Sequence, residues 1–182
     1  MAGKRVEAFL DSNQIDLLIS SGFAGGIEQS LGVATLFLAE NFSDPRLLEQ
    51  AQELLICRVG KLFTVSQVID DPAERLTLGD KHDADAVDME TEQIANACAA
   101  RNIPMLSLRA ISDTAAAPFP APPTLLFDLE QQRTRLSRLA PYLLTRPGAI
   151  VRLARFTRQL ASARSELAVG LKEIIENLSQ EI

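Results

Sequence analysis

Residues 86–114, AVDMETEQIANACAARNIPMLSLRAISDT, constrain this chain more than any other stretch. A short apolar run (86–88) leads into an acidic turn at Glu90. A helical segment covers 91–101, and a second apolar run (104–110) ends at Ser112 and Asp113. Strands buried on both faces leave short apolar runs of this kind, and a helix between two of them supplies the right-handed crossover of a parallel pair. The stretch therefore predicts a βαβ unit. It puts two carboxylates, Glu90 and Asp113, beyond the carboxyl ends of two strands, where open α/β sheets bind ligands. Such a pair is a candidate acid and hydrogen-bonding couple.

The residues of this unit also carry a family likeness. Val87-Asp88-Met89-Glu90, followed by Arg109-Ala110-Ile111-Ser112-Asp113, resembles the paired signature of the superfamily of purine nucleoside phosphorylases and methylthioadenosine/S-adenosylhomocysteine nucleosidases. Upstream, Ser20-Ser21-Gly22-Phe23-Ala24-Gly25-Gly26-Ile27 resembles the glycine-rich turn that follows a core strand in the same superfamily. Three motifs in the expected order, each at a strand end, make the resemblance specific over residues 4–114.

The resemblance implies a three-layer αβα sandwich with a mixed or mostly parallel sheet, in which about five strands are recognisable from their apolar runs. It assigns Asp113 as the acid or hydrogen-bond donor to purine N7, and Glu90 as the acceptor for ribose hydroxyls. Met89 packs against the sugar, and Asp88, Phe23, Ala24, Gly25, Gly26 and Ser112 complete the implied substrate-binding set. A carboxyl that donates must keep its proton, which burial and the nearby charge of Glu90 would favour. The implied reaction is cleavage of the N-glycosidic bond of an adenine-type nucleoside by water or by phosphate. Phosphate would then be a co-substrate, and no cofactor is expected. Val65-Ser66 followed by Asp71-Pro72-Ala73-Glu74 looks more like the phosphorylase-like proteins encoded with hopanoid biosynthesis, which implies adenosylhopane as a substrate. No aromatic base-stacking residue occurs between Val65 and Asp80. The alternative is a degenerate homologue that binds the nucleoside without cleaving it. Relatives carry a βαβ-sized piece of about 30 residues or more before the position of Gly3-Lys4. The chain thus reads as shortened at its N-terminus or started at an internal methionine, without the groups that activate water or phosphate.

Composition narrows the class. A chain of 182 residues is long enough for one domain with a sizeable core. Its net charge of −6 argues against non-specific nucleic-acid binding. Cys57 and Cys98 sit in apolar surroundings without metal-type spacing, so reduced thiols are expected rather than a disulfide. The one histidine, His82, lies between Lys81 and Asp83 in an expected loop and cannot build a metal site alone. No charged leader opens the chain and no apolar run reaches bilayer-spanning length, which leads to the expectation of a cytoplasmic protein.

Elsewhere the local signals are plain. Residues 1–10 read as a helix with Val6, Phe9 and Leu10 on one face. Strands are expected over 15–20, 32–40 and 62–69. The glycines of 22–26 read as a turn that brings its backbone to a ligand rather than as a bare connection. Asp44-Pro45 opens a short helix to about residue 54, and Asp71-Pro72-Ala73-Glu74 is a capping box. Pro118, Pro120, Pro122 and Pro123 mark a stiff linker, with a gate beside the pocket as the sharper reading. Two helices follow over 129–144 and 147–178. The expected division is an α/β domain over 1–127 and a helical extension over 128–182.

The last helix carries a seam at Ile150, Leu153, Leu160, Leu167, Leu171, Ile174 and Leu178, to be packed on the core or on another subunit. Between Gln131 and Ser165 there are eight arginines and no acidic residue. A solvated basic face is the preferred reading, and peripheral contact with an anionic membrane the sharper one. A homo-oligomer is expected because the sheet edge left by the absent strands would otherwise be unpaired.

Overall fold

A computed structural model describes residues 2–69, 71–116 and 147–178. In chain order the elements are α1 (Ala2–Ser12), β1 (Leu18–Gly26), β2 (Leu36–Ala39), a 3-10 turn (Glu40–Phe42), α2 (Pro45–Leu54), β3 (Arg58–Gly60) and β4 (Leu62–Thr64). Then come α3 (Pro72–His82), β5 (Ala86–Asp88), α4 (Thr91–Ala99), β6 (Met105–Asp113) and α5 (Pro147–Leu178). The proline-rich loop, the 129–144 helix and the boundary at 127/128 lie outside the described residues.

The strands form one mixed six-stranded sheet in the order β3-β2-β6-β1-β5-β4. All nine residues of β6 are buried. Alternation along a strand sends its even positions, Leu106, Leu108 and Ala110, into one cluster with Leu36, Leu38, Leu47, Ala51, Ile174 and Leu178. Met105 points the other way, to Leu10, Ala97 and Cys98. Helices α2 and α5 thus cover one face and α1 and α4 the other, giving the three layers that the resemblance implied.

The 86–114 unit is wired differently from the expectation. The β5 segment, the α4 segment and the end of β6 fall where the sequence put them, but β1 lies between β5 and β6. It runs parallel to β6 and antiparallel to β5, with Gly25 opposite Val87. Strands β5 and β6 therefore point in opposite directions, and their carboxyl ends do not share one edge. The βαβ reading is corrected: apolar runs report burial on both faces, which a strand between two others has in either direction.

Other boundaries shift for local reasons. The glycine-rich segment is not a turn: Gly22, Gly25 and Gly26 lie within the extended β1, and none has a positive φ. The expected 62–69 strand stops at Thr64, and β3, three residues long, had no separate signal. On α1, Leu10 is buried whereas Phe9 is 53% exposed. His82 is the last residue of α3, not part of a loop, and its ring stacks on Phe63 at 3.8 Å. Both proposed caps form, with Asp44 accepting from Arg46 and Leu47 and Asp71 from Ala73 and Glu74.

The sheet curls until its two edges nearly meet, since β3 and β4 are separated only by Lys61. The Asn41 side chain donates to the Leu62 carbonyl and accepts from its N–H, both at 3.0 Å, standing in for a neighbouring strand. Asp85 accepts from the Lys61 N–H at 2.8 Å, and a Cβ on Gly60 would lie 2.3 Å from that carboxylate. A side chain at residue 60 would push that carboxylate away from the Lys61 N–H. Side chains thus cover edge groups that an open sheet would leave unpaired.

Candidate functional site

Two buried acid–arginine clusters flank the middle of β1. The first is built on Asp113, the final residue of β6. The register slips between Ala24 and Gly25, so that Gly25 faces Asp113 in place of Ser112. An irregularity of this kind re-aims a side chain. Asp113 is 2% exposed and forms an ion pair with Arg75, which is 3% exposed and reaches in from α3. Ser112 Oγ lies 2.7 Å from the other carboxylate oxygen. Arg75 is held in turn by Nε donating to the Ile69 carbonyl at 2.7 Å and by a long 3.5 Å contact to the Gly26 carbonyl. A Cβ on Gly25 would come within 3.2 Å of Asp113 Oδ2 and 3.3 Å of Arg75 Nη1. The glycines of β1 make room for this pair, and the close approach they permit is to side chains of the protein itself.

The second cluster is built on Asp88, the last residue of β5. Its carboxylate accepts from Thr64 Oγ1 at 2.9 Å, from Thr91 Oγ1 and backbone N–H, and from Arg109 Nε at 3.3 Å. Arg109 also donates to the Ser20 carbonyl at 2.7 Å and the Ser20 hydroxyl at 2.9 Å. Burial lowers the Arg109 guanidinium from its ordinary range, while the charges of Asp88 and Glu90 draw it back up. Every member of the network has partners, the condition under which buried polar groups hold a structure rather than weaken it.

Glu90 occupies the N-cap position of α4, yet its side chain makes no capping bond and is exposed. Asp88 performs that capping instead, through the Thr91 N–H. The Glu90 carboxylate is therefore free to accept from a ligand, and Met89 beside it is half-buried.

In the described residues, the chain thus presents a mixed sheet with acids at the ends of β5 and β6, set in αβα layers. The sequence profile of the phosphorylase superfamily matches residues 36–145, more than half of the chain. The chain belongs to the phosphorylase superfamily.

Solved structures agree on the fold of this superfamily member. A futalosine hydrolase of Helicobacter pylori superimposes with a TM-score of 0.68 at 17% identity, covering 96% of this chain and 74% of the hydrolase. A 5'-methylthioadenosine/S-adenosylhomocysteine nucleosidase from S. pneumoniae, bound to a transition-state inhibitor, gives 0.68 at 19% identity over 97% and 76%. The corresponding nucleosidase of Campylobacter jejuni gives 0.58 at 23% identity over 62% of each chain. No curated protein sequence matches.

Within this superfamily fold the expected residues separate into groups. Ser112, Asp113, Gly25 and Gly26 come together around Arg75. Asp88, Met89 and Glu90 form a second group around Arg109. Phe23 pairs with Ala110 and Ala24 with Ile111, so the two point to opposite faces of the sheet. Phe23 is 39% exposed on the α2/α5 side, away from Ala24. Glu90 was expected to supply the charge beside Asp113, but the group in contact with Asp113 is Arg75. Sequence reasoning missed Arg75, which lies 38 positions from Asp113 on α3. The buried Arg109 stood inside a quoted motif and was not given a role. Among the described residues no group of three or more histidine, cysteine, aspartate or glutamate side chains could hold a metal ion. No described helix is long and apolar enough to cross a membrane.

Proposed function

We propose that the chain cleaves the N-glycosidic bond of a purine nucleoside with a 6-amino base. The observation that carries the reading is Asp113, a buried acid at the end of β6, re-aimed by a register slip beside Ser112 in a fold shared with nucleosidases. Breaking this bond gives the sugar carbon oxocarbenium character and leaves negative charge on the departing base. A site therefore gains rate by protonating the base and by fixing the sugar. Asp113 meets purine N7, with Ser112 orienting its carboxyl group. Glu90 accepts from the ribose hydroxyls, Met89 packs on the sugar, and Asp88 with Arg109 keeps the start of α4 in place beneath them. The finer substrate reading is an adenosylated hopanoid, supported by the Val65-Ser66 and Asp71–Glu74 pattern.

Adenine release from methylthioadenosine, S-adenosylhomocysteine and adenosylhopane, followed chromatographically with and without phosphate, tests the proposal. Release from any of them is expected, and the dependence on phosphate names the nucleophile. No release from all three overturns the enzyme reading.

One observation favours a second reading, a nucleoside-binding homologue without turnover. Both oxygens of Asp113 already have partners inside the protein, Arg75 and Ser112. Calorimetric binding of adenine by a chain that releases none from any nucleoside is the result that selects it.

A further inference from the structure

Charge is segregated along this chain. Residues 131–165 hold eight arginines and no acidic residue, which leaves ten lysines and arginines against 24 aspartates and glutamates everywhere else. The segregation continues within α5. From Pro147 to Ser165 its charged residues are Arg152, Arg155, Arg158 and Arg164, whereas Glu166, Lys172, Glu173 and Glu176 follow. From Ala163 onward the helix is fixed to the sheet: Ala163, Ile174 and Leu178 are buried in the core, with Leu167 and Leu171 against them. In the basic half, Ala149 and Phe156 turn inward and are buried. A rotation of about 100° per residue then puts Val151, Ala154, Arg155 and Arg158 on the outer side, with Ile150 at its edge. All five are exposed, Ile150 by 53% and Val151 by 65%.

We propose that the outer face of residues 150–158 docks α5 along a bilayer surface rich in anionic phospholipid. The guanidinium groups pair with headgroup phosphate oxygens through their forked donors, and the apolar side chains set among them enter the boundary between headgroups and acyl chains. The helix lies on the surface, since no described helix is long and apolar enough to cross a membrane. Within the chain these arginines have no local reason. Among the described residues none of the four forms an ion pair. The first turn of α5 has no acidic residue and the last turn no basic one, whereas the helix dipole favours both. A nucleic-acid backbone would accept the arginines but would leave Ile150 and Val151 in water, whereas a bilayer surface accepts both kinds of side chain. The acidic remainder of the chain is repelled by the same surface, so the arginine end is the one that meets it.

Co-sedimentation of the full chain with vesicles tests the proposal independently of any nucleoside chemistry. At about 0.1 M salt the wild type is expected to bind equimolar phosphatidylglycerol and phosphatidylcholine, to leave neutral phosphatidylcholine vesicles unbound, and to be released toward 1 M salt, where the screening length falls to about 3 Å. Arg155→Glu/Arg158→Glu, with wild-type circular dichroism, should lower the affinity for the anionic vesicles about tenfold or more. The chain has no tryptophan. Val151→Trp, at an exposed position, therefore gives a single reporter whose emission should shift to the blue with anionic vesicles and stay in place with neutral ones. Four results overturn the proposal: no binding to the anionic vesicles, equal binding to neutral ones, affinity unchanged by the arginine reversal, or tryptophan emission that does not move on binding. So does a chain that binds a duplex DNA oligomer in preference to the vesicles and loses that binding in Arg155→Glu/Arg158→Glu, which assigns the arginines to nucleic acid.

Discussion

Asp113 and Glu90 differ in what the fold has done with their carboxylates, and the difference can be measured. On the proposed reading, Asp113→Asn keeps the shape but removes the carboxyl group that meets the departing base, so turnover should fall about a hundredfold or more with ligand binding retained. Glu90→Gln acts on an exposed carboxylate that the proposed function sets on the sugar hydroxyls in ground and transition states alike. Its loss should appear in binding and in rate, by calorimetry and steady-state kinetics. Arg75 has the larger structural role. Arg75→Met strands a buried carboxylate and should cost about 3–5 kcal/mol in urea unfolding, while adding Asp113→Asn should recover part of that loss. Gly25→Ala crowds the same pair and should cost about 1–3 kcal/mol. Gly22→Ala, whose nearest side-chain atom would be 3.9 Å away, should cost less.

The elements whose signals lie within a turn or two of sequence are the ones that could be read directly. Asp44 and Asp71 each precede a proline and cap the helix that follows, so Asp44→Ala and Asp71→Ala should each lose about 1 kcal/mol. The bounds of α5 also match the reading from Pro147 to Leu178, but its apolar seam is buried only in part. Ile174 is fully buried whereas Ile150 is 53% exposed. Ile174→Ala should therefore cost about 2–5 kcal/mol and Ile150→Ala under about 0.5 kcal/mol, a contrast that thermal unfolding resolves. Periodicity marks which residues share a face and says nothing about how much of the helix the core reaches.

At the scale of the whole molecule, burial raises the thiols of Cys57 and Cys98 above the ordinary value, with Arg101 pulling Cys98 partly back. The folded state then holds these protons more tightly than the unfolded chain. Their contribution to stability is complete below the unfolded thiol value of about 8.5 and is lost as pH rises through the folded values. The urea midpoint should fall between pH 8 and 10 more steeply in the wild type than in Cys57→Ala/Cys98→Ala. The sequence alone determined the β5, α4 and β6 segments, both aspartate caps, the reduced thiols and the superfamily, because each rests on neighbours along the chain or on contiguous motifs. Tertiary structure decided the insertion of β1 between β5 and β6, the use of the β1 glycines as packing space and the Arg75–Asp113 pair. Strand direction and ion pairing join residues far apart in sequence, and a buried apolar run or a helical arginine looks the same whichever partner it finds.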